Sequence, residues 1–298
     1  MAKNLLLFLS SNFLIFSLTA QDNICKAPEI LDSIRSYEDI TYKKSLGFDL
    51  YLPESGENLP LAFVIHGGGW IQGDRKDFAN TVKRLASMGY AAATVSYTLV
   101  SGARGRFPTQ IEDLRCALKT LRSRAAEFSI NPDKFIALGQ SSGAHLAAEL
   151  ALTADRNDFD DSACPISGES TEIQSVVGYF GPYDLRKVED LNLGQIWLLS
   201  NFLGGLPSFK PKLAELASPA AQINDEKVPF YLVHAADDDV VPVKSSQEFT
   251  DALVAANKDV RYVELSEGAH QIGYFDERPL AQEATCGTLQ ALDSFLRL

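Results

Sequence analysis

The chain has 298 residues and a mass of 32.6 kDa, enough for one large domain or two smaller ones with a real core. Its composition, 46% hydrophobic and 22% charged residues, is that of a globular protein and excludes wholesale disorder, collagen and coiled coil. The formal net charge of −12 argues against nucleic acid as a partner, since phosphate binding needs a basic surface.

The first twenty residues have the layout of a secretory leader. Lys3 is followed by an apolar run over residues 5–18 and then by Thr19-Ala20. The run contains serines and is shorter than the roughly 20 apolar residues that span a bilayer. We predict a cleaved signal peptide at residues 1–20, an N-terminal arm at residues 21–36, and a secreted or periplasmic protein without a stable membrane anchor. A retained N-terminal anchor helix is the alternative.

Beyond the leader, short β-type segments alternate with helical ones. The predicted strands are residues 40–42, 48–52, 61–66, 91–97, 135–138, 176–180, 230–234 and 261–265. Several are apolar throughout, which is typical of parallel strands covered on both faces. A helix is predicted over residues 109–128. This alternation predicts a mostly parallel, doubly wound sheet in one domain, residues 37–298. The first two strands have no helix between them and predict an antiparallel start.

One stretch breaks this alternation. Residues 185–225 contain helical pieces, glycines and prolines but no clear strand. An insertion of this length above a sheet is more typical of a lid than of a linker. We therefore predict a small helical lid there.

The four cysteines are Cys25, Cys116, Cys164 and Cys286. They have no C-x-x-C spacing, which argues against a zinc site, and an even number in an exported protein favours disulfides. Cys116 lies on the polar face of its predicted helix, from which it can reach a covering loop that contains Cys164. We predict the pairs Cys116–Cys164 and Cys25–Cys286, with four free thiols as the alternative.

The most specific motif is Gly139-Gln140-Ser141-Ser142-Gly143, which fits G-x-S-x-G between a predicted strand and a predicted helix at residues 142–152. A sharp strand-to-helix turn exposes the serine at its tip, and the flanking glycines avoid Cβ clashes. Ser141 is therefore the predicted nucleophile. The alternative is a glycine-rich turn that happens to contain serine.

A serine hydroxyl needs a base, and in this architecture the base is a late histidine that follows an acid in the chain. His270, in a glycine-containing loop after the last predicted strand, is the predicted base. The acid is one of three consecutive residues, Asp237, Asp238 and Asp239, which follow the strand before it. Its work would be to hold the imidazole tautomer and stabilise the imidazolium.

A third motif, His66-Gly67-Gly68-Gly69-Trp70, directly follows the third predicted strand. Consecutive glycines let N–H groups converge on one point, as an oxyanion requires, and each such donor is worth about 3 kcal/mol. The predicted donors are Gly68, Gly69 and Ser142. A flexible or phosphate-binding loop is the alternative, although neither Walker A nor G-x-G-x-x-G is present. We expect His66 to brace this loop.

With these motifs the chain resembles secreted carboxylesterases of the α/β-hydrolase superfamily. It is most similar to the branch with His-Gly-Gly-Gly-Trp, represented by bacterial feruloyl and acetylxylan esterase-like proteins and related to the hormone-sensitive lipase group. The resembling segments are residues 66–74, 131–133, 139–147, 179–185, 217–219, 233–242 and 268–270. The resemblance implies an α/β-hydrolase fold: a mostly parallel twisted sheet of about eight strands, helices on both faces and a small helical lid.

The resemblance also selects Asp238, because in that branch the acid lies four residues before a proline, here Pro242. It implies ester hydrolysis through an acyl-enzyme, without metal or organic cofactor, on short acyl or aryl esters such as acetyl or feruloyl groups on polysaccharide. Trp70, Tyr183 and Trp197 are predicted to bind substrate, with lid-to-core packing as the alternative. The expected partner is a small-molecule or carbohydrate-linked ester. Rival functions are an arylformamidase-like amidase and an inactive binding module.

Overall fold

The computed structural model of the protein describes residues 25–225 and 227–297, so the predicted signal peptide lies outside the described residues. Eight strands form one sheet: β1 (Arg35–Lys43), β2 (Leu46–Leu52), β3 (Leu59–Ile65), β4 (Ala91–Val95), β5 (Ile130–Gln140), β6 (Ser175–Tyr179), β7 (Phe230–Ala235) and β8 (Val260–Leu265). Their order across the sheet is β1-β2-β4-β3-β5-β6-β7-β8. The pairs β1–β2 and β2–β4 are antiparallel and the other five are parallel, which confirms the predicted architecture.

Seven helices accompany the sheet in the described residues: α1 (Ala79–Ser87), α2 (Thr109–Ser123), α3 (Ser142–Leu152), α4 (Leu193–Leu203), α5 (Pro211–Leu216), α6 (Lys244–Ala255) and α7 (Gln282–Arg297). Side chains of α1 and α7 pack on one face of the sheet, and those of α2, α3 and α6 pack on the other. Both faces of the central strands are therefore buried, as their uninterrupted apolar sequences predict. No helix in this part of the chain has the length and hydrophobicity needed to cross a membrane.

The bounds of three predicted elements were wrong. The strand predicted over residues 40–42 spans Arg35–Lys43, so it begins five residues earlier. The helix predicted over residues 109–128 ends at Ser123, and β5 begins at Ile130 instead of residue 135. The reason for the last two differences is a turn between α2 and β5 in which the Ile130 N–H donates to the Ala125 carbonyl at 2.8 Å. Phe128 is 2% exposed, so its burial reflects tertiary packing and not membership of the helix.

Both predicted disulfides are present, Cys25–Cys286 and Cys116–Cys164. The first ties the start of the described chain to α7, and the second ties α2 to the segment after α3. From the polar face of α2, Cys116 reaches the loop that contains Cys164, as predicted, and it is only 1% exposed there. The segment after α3 covers that face of α2, and its Asp160 accepts hydrogen bonds from Arg115 there.

The insertion between β6 and β7 contains α4 and α5, with short 3-10 turns after them. Asn192 caps the N-terminus of α4: its side chain accepts from the N–H groups of Gly194 and Gln195, and the Gln195 side chain accepts from the Asn192 N–H in return. Gly204, at φ +74°, ends the helix in the left-handed conformation that glycine adopts without strain. These caps give α4 defined ends above the sheet.

A buried carboxyl lies on α3. Glu149 is fully buried, and neither carboxyl oxygen has a hydrogen-bond partner among the described residues. Burial raises the pKa of Glu149 well above its usual value of 4.5, and the charge of Arg156 opposes this only in part. Folding therefore favours the protonated carboxyl of Glu149, whereas the unfolded chain ionises it at the usual pKa.

We predict that Glu149→Gln stabilises the protein at pH 8 but not at pH 4. A group whose pKa is raised by folding contributes stability below its unfolded pKa and loses it as pH rises towards the folded pKa. The free energy of unfolding should rise in the variant at pH 8 and stay unchanged at pH 4, measured by urea denaturation at both pH values. Glu57→Gln, at an exposed loop position, is the control and should show no such gain. An equal effect of Glu149→Gln at both pH values would contradict the assignment.

Candidate active site

Ser141 lies at the tip of the turn between β5 and α3, in a strained backbone conformation. Its φ is 55° and its ψ is −126°, outside the regions that non-glycine residues usually adopt. The Ser141 N–H donates to the Tyr179 carbonyl at 2.9 Å, which holds the turn against the end of β6. Strain of this kind persists only where the surrounding structure enforces it.

The flanking glycines are required by close backbone contacts. A Cβ on Gly139 would lie 2.1 Å from the Gly143 carbonyl oxygen, and one on Gly143 would lie 2.2 Å from the Ile65 carbonyl oxygen. The turn therefore packs against itself and against the end of β3. No side chain fits at either position, as the motif predicted.

His270 and Asp238 meet at the carboxyl edge of the sheet, beyond β8 and β7. The His270 Nδ1 lies 2.7 Å from the Asp238 Oδ2. The neighbouring Asp237 instead accepts from the Ala269 N–H at 2.7 Å, and Asp239 is exposed. The structure thus pairs one of the three consecutive carboxylates with the imidazole and uses another to hold the loop that carries it.

The Asp238 carboxylate is strongly held in its ionised form. Burial opposes ionisation, but hydrogen bonds from His234, His270 and the Val241 N–H outweigh it and hold the pKa of Asp238 well below its usual range. Since an ionised carboxylate only accepts, the His270 Nδ1 carries the proton in this contact. In the neutral ring, Nε2 is then the nitrogen free to accept a proton.

The loop after β3 has three consecutive residues with positive φ: Gly68 at 105°, Gly69 at 59° and Trp70 at 62°. Its fold is tightened by the Gly68 carbonyl, which accepts from the N–H groups of Ile71 and Gln72 at 3.2 and 3.1 Å. Within residues 25–225 and 227–297, the N–H groups of Gly68, Gly69 and Ser142 have no hydrogen-bond acceptor. They remain available to a ligand in the cavity that these residues line.

His66 braces this loop from beneath. Its Nδ1 donates to the Gly67 carbonyl at 2.8 Å, and its ring stacks on Tyr97 at a centroid distance of 4.3 Å. Burial lowers the pKa of His66, which keeps the ring neutral at neutral pH. The ring is 2% exposed, which agrees with a supporting position and not with a place among the reacting groups.

A second buried histidine, His145, connects the same loop to the insertion, and no local sequence pattern indicates this role. The His145 Nε2 lies 2.8 Å from the Ala217 carbonyl oxygen, so Nε2 donates and Nδ1 accepts from the Trp70 indole N–H at 3.3 Å. Burial lowers the pKa of His145 to about 4, which keeps Nδ1 free to accept. The backbone N–H of Trp70 donates to the Ser142 Oγ at 3.3 Å, which fixes the loop to the start of α3.

Ser141, His270 and the loop after β3, residues 66–72, face one cavity of about 450 Å³. We call this loop the glycine loop. The lining of the cavity has three parts. The loop and the turn contribute Gly67, Gly68, Gly69, Trp70, Ile71, Gln72, Gln140, Ser141 and Ser142; the insertion contributes Phe180, Pro182, Leu185, Leu191, Gln195, Leu198 and Leu199; the last loops contribute Val240, Val241, Pro242, His270, Gln271, Ile272 and Gly273. Among these described residues, His270 is the only titratable side chain.

Two of the three predicted substrate-binding residues lie elsewhere. Tyr183 is fully buried and stacks on Phe249 at 4.4 Å, so it belongs to the core beside α6 and does not line the cavity. Trp197 is 58% exposed on the outer face of α4 and does not line it either. Only Trp70 does, with its ring stacked on Phe202 at 4.3 Å.

The inner face of α4 lines the cavity with Gln195, Leu198 and Leu199. A Cβ on Gly69 would lie 3.2 Å from Leu198 Cδ2, so this leucine packs directly over the glycine loop. Leu198 was not singled out from the sequence, because α4 has apolar residues on every face and its periodicity does not indicate which face points inwards. Within the described residues, no group of His, Cys, Asp or Glu side chains is arranged to hold a metal ion.

The sequence matches the BD-FAE family over residues 48–253. It is 30% identical to esterase LipQ of Mycobacterium tuberculosis over 220 residues, which cover 72% of this chain and 51% of that protein. It is 27% identical to the isoprenylcysteine alpha-carbonyl methylesterase ICME of Arabidopsis thaliana over 234 residues, which cover 74% of this chain and 53% of that protein. The chain thus spans about half the length of these curated relatives.

Solved structures share the fold. A bifunctional GH43-CE protein of Bacteroides eggerthii superposes with a TM-score of 0.77 at 26% identity, over 88% of this chain and 38% of that chain. A truncated carbohydrate esterase from gut microbiota superposes with a TM-score of 0.73 at 23% identity, over 89% and 99% of the two chains. The family match covers most of the sheet and the turn that carries Ser141. The chain belongs to the BD-FAE family of α/β-hydrolase esterases.

Proposed function

We propose that the protein is a serine carboxylic-ester hydrolase that acts through an acyl-enzyme on short acyl or aryl esters. The observation that carries the proposal is the meeting of Ser141, the His270–Asp238 pair and the unpaired N–H groups of the glycine loop at one cavity. The family and the esterase relatives support the same class of reaction.

In the proposed mechanism, the His270 Nε2 removes the proton of Ser141 as its Oγ attacks the ester carbonyl. The Asp238 carboxylate holds the Nδ1 proton and stabilises the imidazolium. The N–H groups of Gly68, Gly69 and Ser142 bind the oxyanion of the tetrahedral intermediate. His270 then protonates the leaving alcohol, and a water molecule activated by the same imidazole releases the acid.

The cavity favours an uncharged substrate. Its lining among the described residues contains no Asp, Glu, Lys or Arg, so an ionised acyl group would lose its hydration without gaining a counter-charge. Leu185, Leu191, Leu198 and Leu199 offer an apolar wall to a short acyl or aryl group. The glutamine side chains add neutral hydrogen-bonding groups, which suit a hydroxyl-rich alcohol.

We further propose that the protein is exported and that its natural ester is an acetyl or feruloyl group on a polysaccharide. The two disulfides suit an oxidising compartment, and the leader-like residues 1–20 agree with export. The carbohydrate-esterase descriptions of two structural neighbours support a carbohydrate-linked substrate.

We predict that Ser141→Ala lowers kcat/KM for p-nitrophenyl acetate by roughly 10⁴-fold or more, because the nucleophile is lost. Ser141→Ala/His270→Ala should lose little more, since the two groups act as a unit. Ser55→Ala, at an exposed loop serine, is the matched control and should retain wild-type activity. Melting temperatures of all variants separate loss of chemistry from loss of folding.

Retention of wild-type hydrolysis by Ser141→Ala would rule out the serine mechanism, and an absence of hydrolysis by the wild type on every substrate would favour an inactive binding module. The panel should therefore include methyl ferulate, acetylated xylan and an aryl formamide. Faster cleavage of the formamide than of any ester would favour an arylformamidase-like amidase.

We predict that Leu198→Ala shifts selectivity towards longer acyl chains, because it shortens the apolar wall over the glycine loop. The kcat/KM for p-nitrophenyl hexanoate relative to the acetate should rise about 10-fold, the effect of one or two added methylenes in an apolar pocket. Leu193→Ala is the matched control, because Leu193 lies on the same helix and is 86% exposed. The same shift in both variants would place the effect in the helix and not in the cavity wall.

A further inference from the structure

A second imidazole contacts the carboxylate of Asp238. His234 lies in β7 and is completely buried. Its Nε2 lies 3.2 Å from the Asp238 Oδ2, the same oxygen that the His270 Nδ1 contacts at 2.7 Å. One carboxylate oxygen is thus shared by two histidines.

The surroundings of His234 determine which of its nitrogens carries the proton. Its Nε2 also lies 3.0 Å from the Val241 carbonyl oxygen, and a carbonyl can only accept. Its Nδ1 lies 2.7 Å from the Ser246 Oγ, a hydroxyl that can donate. In the neutral ring, Nε2–H therefore donates to Val241 and Asp238, while the hydroxyl of Ser246 donates to Nδ1.

We propose that His234 is a positioning residue that sets the orientation of Asp238 and the charge that Asp238 presents to His270; this rests on the proposed function. The carboxylate is held at both oxygens, because Oδ1 accepts from the N–H groups of Val240 and Val241 at 2.8 and 2.9 Å. With Oδ1 held in this way, Oδ2 faces the two imidazoles. The N–H of His234 is a second donor to Oδ2. It partly neutralises the negative charge of that oxygen, so Oδ2 stabilises the His270 imidazolium less strongly.

Other charged groups near this pair are turned to solvent or bonded elsewhere. Glu264 of β8 lies beside His234 in the sheet register, but it is exposed and accepts from Gln247 and Tyr262. Asp237 binds the Ala269 N–H, as described, and Asp239 and Glu267 are exposed.

The remaining neighbours of His234 are uncharged. From α6, the residue that reaches the ring is Ser246, and the Phe180 ring lies 6.4 Å from His234 and 4.3 Å from His270. Among the described residues, Asp238 is the one charged group within hydrogen-bond distance of His234.

The test compares His234→Phe, which removes the donor to Asp238, with His234→Gln, which keeps an amide N–H at the end of the side chain. The measurements are the pH dependence of kcat/KM for p-nitrophenyl acetate and the NMR titration of the His270 ring. In His234→Phe, the Asp238 carboxylate has lost one N–H donor and stabilises the His270 imidazolium more strongly. The acid side of the pH profile of kcat/KM and the midpoint of the His270 NMR titration should therefore both move upwards by about 0.5–1 pH unit. His234→Gln should titrate close to the wild type.

An unchanged His270 titration in His234→Phe, or an equal shift in both variants, would overturn the proposal and leave His234 a structural support. If His234→Phe does not fold, Ser246→Ala replaces it, because loss of the hydroxyl weakens the Nε2–H as a donor. Its expected shift is smaller and in the same direction, and no shift there overturns the proposal. The NMR titration needs no turnover, so it distinguishes failure of this inference from failure of the esterase function.

Discussion

The close approach of three backbone segments behind Ser141 is the constraint on which the site depends. Gly139 and Gly143 pack against each other, and Gly143 packs against the Ile65 carbonyl at the end of β3. Because β3 and β5 are parallel neighbours, with Ile65 beside Gly139, the glycine loop and the serine turn leave the sheet at the same edge. The parallel register of the backbone thus places the turn of the potential nucleophile next to the loop of the potential oxyanion donors.

Buried histidines connect the loops around that edge. His66 binds the Gly67 carbonyl, His145 joins Trp70 to Ala217, and His234 joins Ser246 to Asp238. Each ring nitrogen that lies against a carbonyl must donate, so the fold assigns the tautomer. His270, whose side chain is 16% exposed, is the histidine that lines the cavity. Three of the four histidines are thus buried and support loops, whereas the partly exposed His270 is the candidate base.

The insertion between β6 and β7 shapes the cavity without contributing the candidate reacting groups. The inner face of α4 presents leucines to the glycine loop, and its outer face leaves Leu193 and Trp197 exposed. The His145 link to Ala217 couples the position of this insertion to the glycine loop through Trp70. A change in the position of the insertion therefore alters both the size of the cavity and the hydrogen bonds that support the glycine loop.

Local patterns in the amino-acid sequence were enough to predict the eight strands, the mostly parallel sheet, and the turn at Ser141. These features depend on hydrophobic periodicity and on sterics between residues that are close in the chain. The sequence also narrowed the acid to three neighbouring residues, and only the family resemblance singled out Asp238 among them. Tertiary structure was needed to see that Asp238 contacts His270, that Tyr183 packs in the core, and that Trp197 faces solvent. The contacts of His145 and His234 could not be predicted either, because each depends on where elements distant in the chain direct their side chains.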